Sequence, residues 1–270
     1  MATEIRSGLV DLDRKIGSLL PGDLMLVAGR PNSGKSVFAL NVAMNCNRSH
    51  ESTVVLYSNS EYKERVLRRL WDYDGIDHED TQKDQEILSN APVSDFVRIK
   101  ASERKGSLTI CDESALSVAD IEDDLRFLKK EDNAPLLVII DYLHLLMCPE
   151  NACSEMYELR PSANIIALKN LSVSENVPIV LISTVDRMPL EQRHDKRPLL
   201  ADIPITAEAI EHTDIIILLY REALYSQDNK TEIESLELNV VRSKEGNPET
   251  VRVHFNVENI RFENPPLSLV

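Results

Sequence analysis

Gly29-Arg30-Pro31-Asn32-Ser33-Gly34-Lys35-Ser36 has the spacing G-x-x-x-x-G-K-S. Glycines at both ends of such a stretch let the backbone curl until its N–H groups converge, an arrangement that suits phosphate oxygens. The lysine adds a cation that reaches β- and γ-phosphates, and the following hydroxyl offers a position to Mg²⁺. An apolar run at residues 23–28 (DLMLVA) precedes the loop and a helical pattern at 35–46 follows it. That is the context in which a helix N-terminus adds partial positive charge for an anion. The reading is a phosphate-gripping loop, residues 29–36, for ATP or a close relative. The bland alternative is a chance match in a turn, in a chain with only eight glycines. Asp141 ends a second apolar run, LLVIID at 136–141. A carboxylate at the C-terminal edge of a buried strand can hold the magnesium directly or through water. Alone it reads equally well as an ordinary strand-end acid; beside the loop the metal role is preferred, with Ser36 as its partner.

These residues need a scaffold, and the rest of the chain supplies one. Apolar runs at 53–58 (TVVLYS), 108–111, 178–184 (PIVLIST) and 214–220 (DIIILLY) read as further buried strands. Helical patterns at 61–71, 117–130 and 155–173 lie between them, and SVAD at 117–120 reads as an N-cap with an acid three residues on. Residues 72–98 carry many acids and read as a solvated loop and helix surface, and 185–202 as a polar loop. Residues 235–242 and 250–256 read as a closing pair joined by SKEGNPE. Apolar strands alternating with helices predict an α/β fold: a mainly parallel twisted sheet flanked by helices, with a C-terminal antiparallel strand pair.

The 270 residues suit one domain spanning 1–270. No run approaches a membrane span, and the N-terminus, MATEIRSGLVDLDRK, lacks an apolar signal region, so a cytoplasmic protein is expected. The net charge of −15 argues against a nonspecific nucleic-acid coat protein but leaves room for a local basic groove. Among Cys46, Cys111, Cys148 and Cys153 only the last two are close, and thiols are expected rather than a disulfide or zinc site.

Beyond the loop, almost the whole chain resembles the motor domain of DnaB-type replicative helicases, a RecA-like P-loop NTPase. SGLVDLDRKIGSLLPGDLMLVAGRPNSGKS resembles that family's opening, VIIDYLHLL its Walker B segment, and LEQRHDKRP at 190–198 its stretch after the sensor strand. LLYREALY at 218–225 resembles the next strand, and VRSKEG the hairpin bearing its arginine finger. The resemblance implies ATP and Mg²⁺ as cofactors, phosphate contacts at Gly34, Lys35 and Ser36, and a metal-linked Asp141. It implies a trans contact by Arg242 and Lys244 to a neighbouring subunit's ATP, where the family has a Lys-x-Arg pair; two solvated cations are the alternative. It also implies self-association, as a hexamer in the family, and single-stranded DNA as partner. Arg187, Arg193, Lys196 and Arg197 are the best carriers of phosphate contacts, and a surface salt-bridge network with Glu191 and Asp195 is the alternative.

Several positions depart from that family. Its catalytic glutamate follows the second strand in Ser-Leu-Glu-Met; here an ungapped alignment puts Ser60 in that place and Glu61 one residue late. Glu61 remains the candidate base, although one residue along a strand turns a side chain to the other face unless a loop recovers it. The sensor glutamine becomes Thr184. The glutamine after the Walker B aspartate becomes His144, read as a satisfied, partly buried histidine. A coupled loop becomes Asp202–Ala207, DIPITA in sequence. A motor domain without the family's N-terminal domain and linker is expected. The implied function is an ATP-hydrolysing motor acting on single-stranded DNA. The alternative is a helicase-like nucleotide-binding paralogue with weak or no hydrolysis, a regulator or assembly partner in DNA replication. A stand-alone recombination or clock-type ATPase is a third reading, opposed by LEQRHDKRP.

Overall fold

In the computed structural model the described residues are 4–49, 53–59, 61–74, 85–88, 96–99, 106–130, 135–148, 159–225, 232–244, 246 and 248–265, without the side chains of 71–74, 85–88 and 135. The strands in chain order are β1 (Leu24–Gly29), β2 (Thr53–Ser58), β3 (Gln85–Leu88), β4 (Phe96–Ile99), β5 (Ser107–Cys111), β6 (Pro135–Asp141), β7 (Ile179–Thr184), β8 (Ile215–Arg221), β9 (Ile233–Arg242), β10 (Glu249–Asn256) and β11 (Arg261–Glu263). The helices are α1 (Val10–Ile16), α2 (Lys35–Ser49), α3 (Lys63–Asp74), α4 (Val118–Lys130), α5 (Arg160–Ser174), α6 (Arg187–Gln192) and α7 (Ala207–Glu211). The strands form one sheet in the order β11-β10-β9-β8-β1-β7-β6-β2-β5-β4-β3.

The centre of the sheet is parallel, from β8 through β1, β7, β6 and β2 to β5. Its apolar runs are continuous because each strand is buried on both faces. Met25 and Val27 of β1 join Val54, Leu56, Ile139 and Ile182 under α2, which contributes Phe38, Val42 and Met44. The alternate residues Leu24, Leu26 and Ala28 join Val55, Ile140 and Leu181 under α4 and α5, which contribute Leu125, Leu128, Ile165 and Leu168. Period-2 alternation thus feeds two cores from one strand. At the start of α4, the Asp120 carboxylate accepts the Ser117 N–H at 2.8 Å and the Ser117 hydroxyl accepts the Asp120 N–H at 3.2 Å, the reciprocal cap read in SVAD.

Three expectations are corrected. Inside the acidic stretch 72–98, β3 and β4 form an antiparallel edge, and Phe96, Val97 and Ile99 are buried; apolar residues at short spacing outweigh the charge around them, and the remainder lies outside the described residues. The polar loop after β7 contains α6 and a short helical turn at Leu200–Asp202, because the Asp202 carboxylate accepts the Leu199 N–H at 2.7 Å. The closing antiparallel pair, β9 with β10, forms as expected, and β11 adds to it by pairing with β10. Cys46 and Cys111 are buried thiols as expected, but Cys148 is disulfide-bonded, and Cys153 lies outside the described residues.

β11 matters because it packs on α2. The Phe262 N–H donates to Asn41 Oδ1 at 3.0 Å, and its ring lies edge-on to Phe38 at 6.1 Å and tilted to Phe255 at 5.4 Å. The Phe262→Ala variant is expected to lose about 3–5 kcal/mol of stability through the cavity left beside α2. A urea unfolding midpoint checks it, and an unchanged midpoint contradicts the packing described.

Candidate functional site

β1 ends at Gly29, where the space beside the backbone leaves no room for a side chain. A Cβ there would lie 2.7 Å from Ser33 Oγ and 2.9 Å from the Leu219 carbonyl. The chain then curls through Asn32 and Gly34, whose φ angles are 65° and 97°. These positive values suit asparagine and glycine and few other residues. The turn delivers Lys35 into the first position of α2. Lys35 is 9% exposed, and its Nζ donates to the Arg30 carbonyl at 2.6 Å. Burial lowers its pKa to about 8, against the pull of the Asp141 charge. The Ser33 hydroxyl is buried without a hydrogen-bond partner among the described residues. A buried cation and an unpaired hydroxyl inside a curled backbone are what an anion would satisfy.

Asp141 ends β6 opposite Ser58 of β2. Burial raises its pKa, opposed by a hydrogen bond from Ser36 and by the charges of Lys35 and Arg69. Its neighbour Tyr142 follows a cis peptide bond. The Asn59 side chain clamps that residue, accepting the Tyr142 N–H and donating to its carbonyl at 3.2 Å.

Ser36, Ser58, Glu61, Arg69 and Asp141 line one cleft at the foot of α2. The turn between β2 and α3 therefore recovers Glu61, despite its place one residue late; Ser60 itself lies outside the described residues. The Ser58 hydroxyl donates to the Glu61 carbonyl at 3.0 Å, and Glu61 Oε2 lies 2.7 Å from Arg69 Nη1. One hydroxyl and one carboxylate, already hydrogen-bonded to each other, fit Mg²⁺, which keeps waters and phosphate oxygens as its other ligands. Among the described residues no group of three or more His, Cys, Asp or Glu forms an all-protein metal site.

The remaining candidates sit elsewhere. Thr184 pairs with Gly29 at the edge of the loop. His144 is half-buried, with both ring nitrogens lacking a partner among the described residues and burial lowering its pKa against the pull of Asp186, so the expectation of a satisfied histidine is corrected. Arg242 faces Ile216 near the start of β8, with its guanidinium 3.5 Å from Glu211. Lys244 Nζ pairs with Asp23 Oδ2 at the start of β1 and lies 3.0 Å from the Ser18 carbonyl. β1 spans about 20 Å at the usual rise per residue, so this pair stands at the opposite end of the sheet from its own phosphate loop.

The four cations suggested for nucleic acid are mostly engaged. Arg193 grips the buried Asp202 carboxylate with both terminal nitrogens, and Arg197 grips Glu237 at 2.6 Å and 3.0 Å while lying over the Tyr220 ring. Lys196 donates to the Glu191 carbonyl at 2.8 Å and Arg187 pairs with the Glu191 carboxylate at 2.5 Å. The salt-bridge network, the alternative reading, describes Arg193 and Arg197 better than mobile cations do. Two contacts carry little sequence signal. Arg221 Nη1 donates to the Asn32 carbonyl at 3.2 Å, bracing the loop. Arg69 faces Glu61, and its only signal is a glutamate followed by arginines four and eight residues on.

The family model for the DnaB-like helicase C terminal domain matches residues 4–264. The replicative DNA helicase DnaB of Haemophilus influenzae is 31% identical over 97% of this chain and 55% of its own length. That of Geobacillus stearothermophilus is 29% identical over 97% and 57%. The chain thus spans about half the length of the curated relatives it matches. Among solved structures, a DnaB-like replicative helicase described with its interactions with primase aligns at a TM-score of 0.79 and 26% identity, over 98% of this chain and 62% of that one. A second solved chain, described as an ATPase domain, aligns at a TM-score of 0.79 and 25% identity, over 98% of this chain and 92% of that one.

The buried lysine makes a stability prediction. Its pKa of about 8 lies below the ordinary 10.5, so between those values the unfolded chain holds a proton that the folded chain lacks. Stability from this group therefore rises with pH across that window. The Lys35→Met variant should lose that rise and be more stable than the parent at neutral pH, while losing triphosphate affinity. Unfolding midpoints of both proteins at neutral pH and near the top of the window check the sign.

Proposed function

The chain belongs to the DnaB-like helicase C terminal domain family, and from that premise we propose that it binds ATP with Mg²⁺ and hydrolyses it as the motor of a replicative DNA helicase working on single-stranded DNA. The observation that carries the reading is that Ser36, Asp141 and Glu61 line one cleft beside the phosphate loop. The convergent N–H groups of residues 29–36 and the start of α2 grip the triphosphate. Lys35 exchanges the Arg30 carbonyl for β- and γ-phosphate oxygens. Ser36 and Asp141 hold the Mg²⁺, which supplies neutralisation of phosphate charge. Glu61 orients the attacking water and accepts its proton.

Arg242 and Lys244 serve a neighbouring copy. They stand at the end of the sheet away from their own loop, so a head-to-tail contact brings them to the next chain's cleft, and repetition of one such contact closes a ring, six copies in this reading. Arginine at 242 supplies the planar, paired contacts to developing phosphate charge that lysine at 244 lacks. Arg187, exposed on the edge that bears the loop, and Lys196 beside it make phosphate contacts to the DNA strand without reading bases.

Two measurements test this. ATP turnover with Mg²⁺ should rise when single-stranded DNA is added, with Lys35→Ala as the blank; tight nucleotide binding with turnover no better than the blank supports the regulator instead. Mixing Lys35→Ala with Arg242→Ala, each inactive alone, should restore part of the turnover, because mixed contacts pair an intact loop with an intact hairpin. No recovery on mixing contradicts the trans role.

A further inference from the structure

We propose that Arg69 is the positioning residue for Glu61, fixing its carboxylate in the cleft and so making up for the glutamate's place one residue beyond that of the family. The inference rests on the reading of Glu61 as the water-orienting base. Glu61 lies just before α3, in a turn whose backbone is pinned by the Ser58 hydroxyl at 3.0 Å and by the Asn59 clamp on Tyr142. The backbone is therefore held, while the glutamate side chain keeps several torsions free. A carboxylate whose side chain is only 12% exposed also needs a partner.

Two arginines are near. Arg65 approaches at 3.6 Å from the solvent side, with its own side chain 73% exposed, and such a contact is worth little. Arg69 lies at 2.7 Å with 30% exposure, and it lines the same cleft as Ser36 and Asp141. It comes from the second turn of α3, whose adjoining face buries Val66, Leu67 and Leu70. That packing fixes where the guanidinium emerges. A planar guanidinium then selects one orientation of the facing carboxylate, which an ammonium group does less well. Arg69 thus joins α3 to the reaction cleft, and a contact that resembles an ordinary surface pair orients the base.

The test is steady-state turnover of the full chain with Mg-ATP and single-stranded DNA, together with equilibrium binding of a non-hydrolysable ATP analogue. Arg69→Ala should lower kcat by about 100-fold, the scale of a misplaced reacting group, with KM and analogue affinity unchanged. Arg69→Lys should recover part of the loss. Arg69→Ala placed on Glu61→Gln should add nothing further, because both changes remove one function. Wild-type turnover in Arg69→Ala, or a double variant far below Glu61→Gln alone, overturns the positioning role while leaving the base assignment standing. Parent-like turnover in Glu61→Gln overturns the base assignment and this inference with it. If Arg69→Ala unfolds, Arg69→Lys carries the same comparison, and a fall in analogue affinity equal to its fall in kcat also overturns the role.

Discussion

The site is organised around one buried charge. Lys35 is an ammonium group held out of water at the start of α2, where, among the described residues, the Arg30 carbonyl and the nearby Asp141 compensate it. Such an arrangement is costly in a chain with no anion to meet it. It persists because β1 ends in space too tight for a side chain, and because Asn32 and Gly34 accept backbone angles that close the curl. The two cores hold β1 in place, so packing far from the cleft fixes the lysine. Phe262, on the last strand, touches this apparatus from outside through Phe38 and the space beside Gly34.

The sheet also separates two kinds of chemistry. Parallel strands place Gly29, Asp141 and Thr184 at one edge, where their carboxyl ends gather. The antiparallel return of β9 carries Arg242 and Lys244 to the other edge, where Asp23 and Glu211 hold them. The chain therefore presents the cleft of Ser36 and Asp141 at one end of the sheet and Arg242 and Lys244, each beside a carboxylate, at the other.

Much of this is legible in the residues, and the failures have physical reasons. β2 runs over the residues expected of it, and the parallel centre is legible because buried strands are apolar throughout. β3 and β4 are hidden because their few apolar residues sit in acidic surroundings, where charge composition outweighs alternation. The curl at residues 29–36 is legible, since its backbone angles depend on residue type and spacing. Glu61 is legible as a candidate but not as a resident of the cleft, because a turn, rather than strand alternation, sets its direction. Arg69 escapes notice because its contact with Glu61 is set by how the turn after β2 leads into α3. Arg193 and Arg197 look like free cations because Asp202 and Glu237 are distant in sequence or on another element.

The central claim is that Lys35 and the curled backbone before it hold a triphosphate, and a calorimetric titration with Mg²⁺ tests it most directly. A non-hydrolysable ATP analogue should bind, and affinity should fall stepwise through ADP to AMP as phosphates leave the loop. Failure of the folded chain to bind the analogue, or adenosine binding as tightly as the triphosphate, would contradict the account.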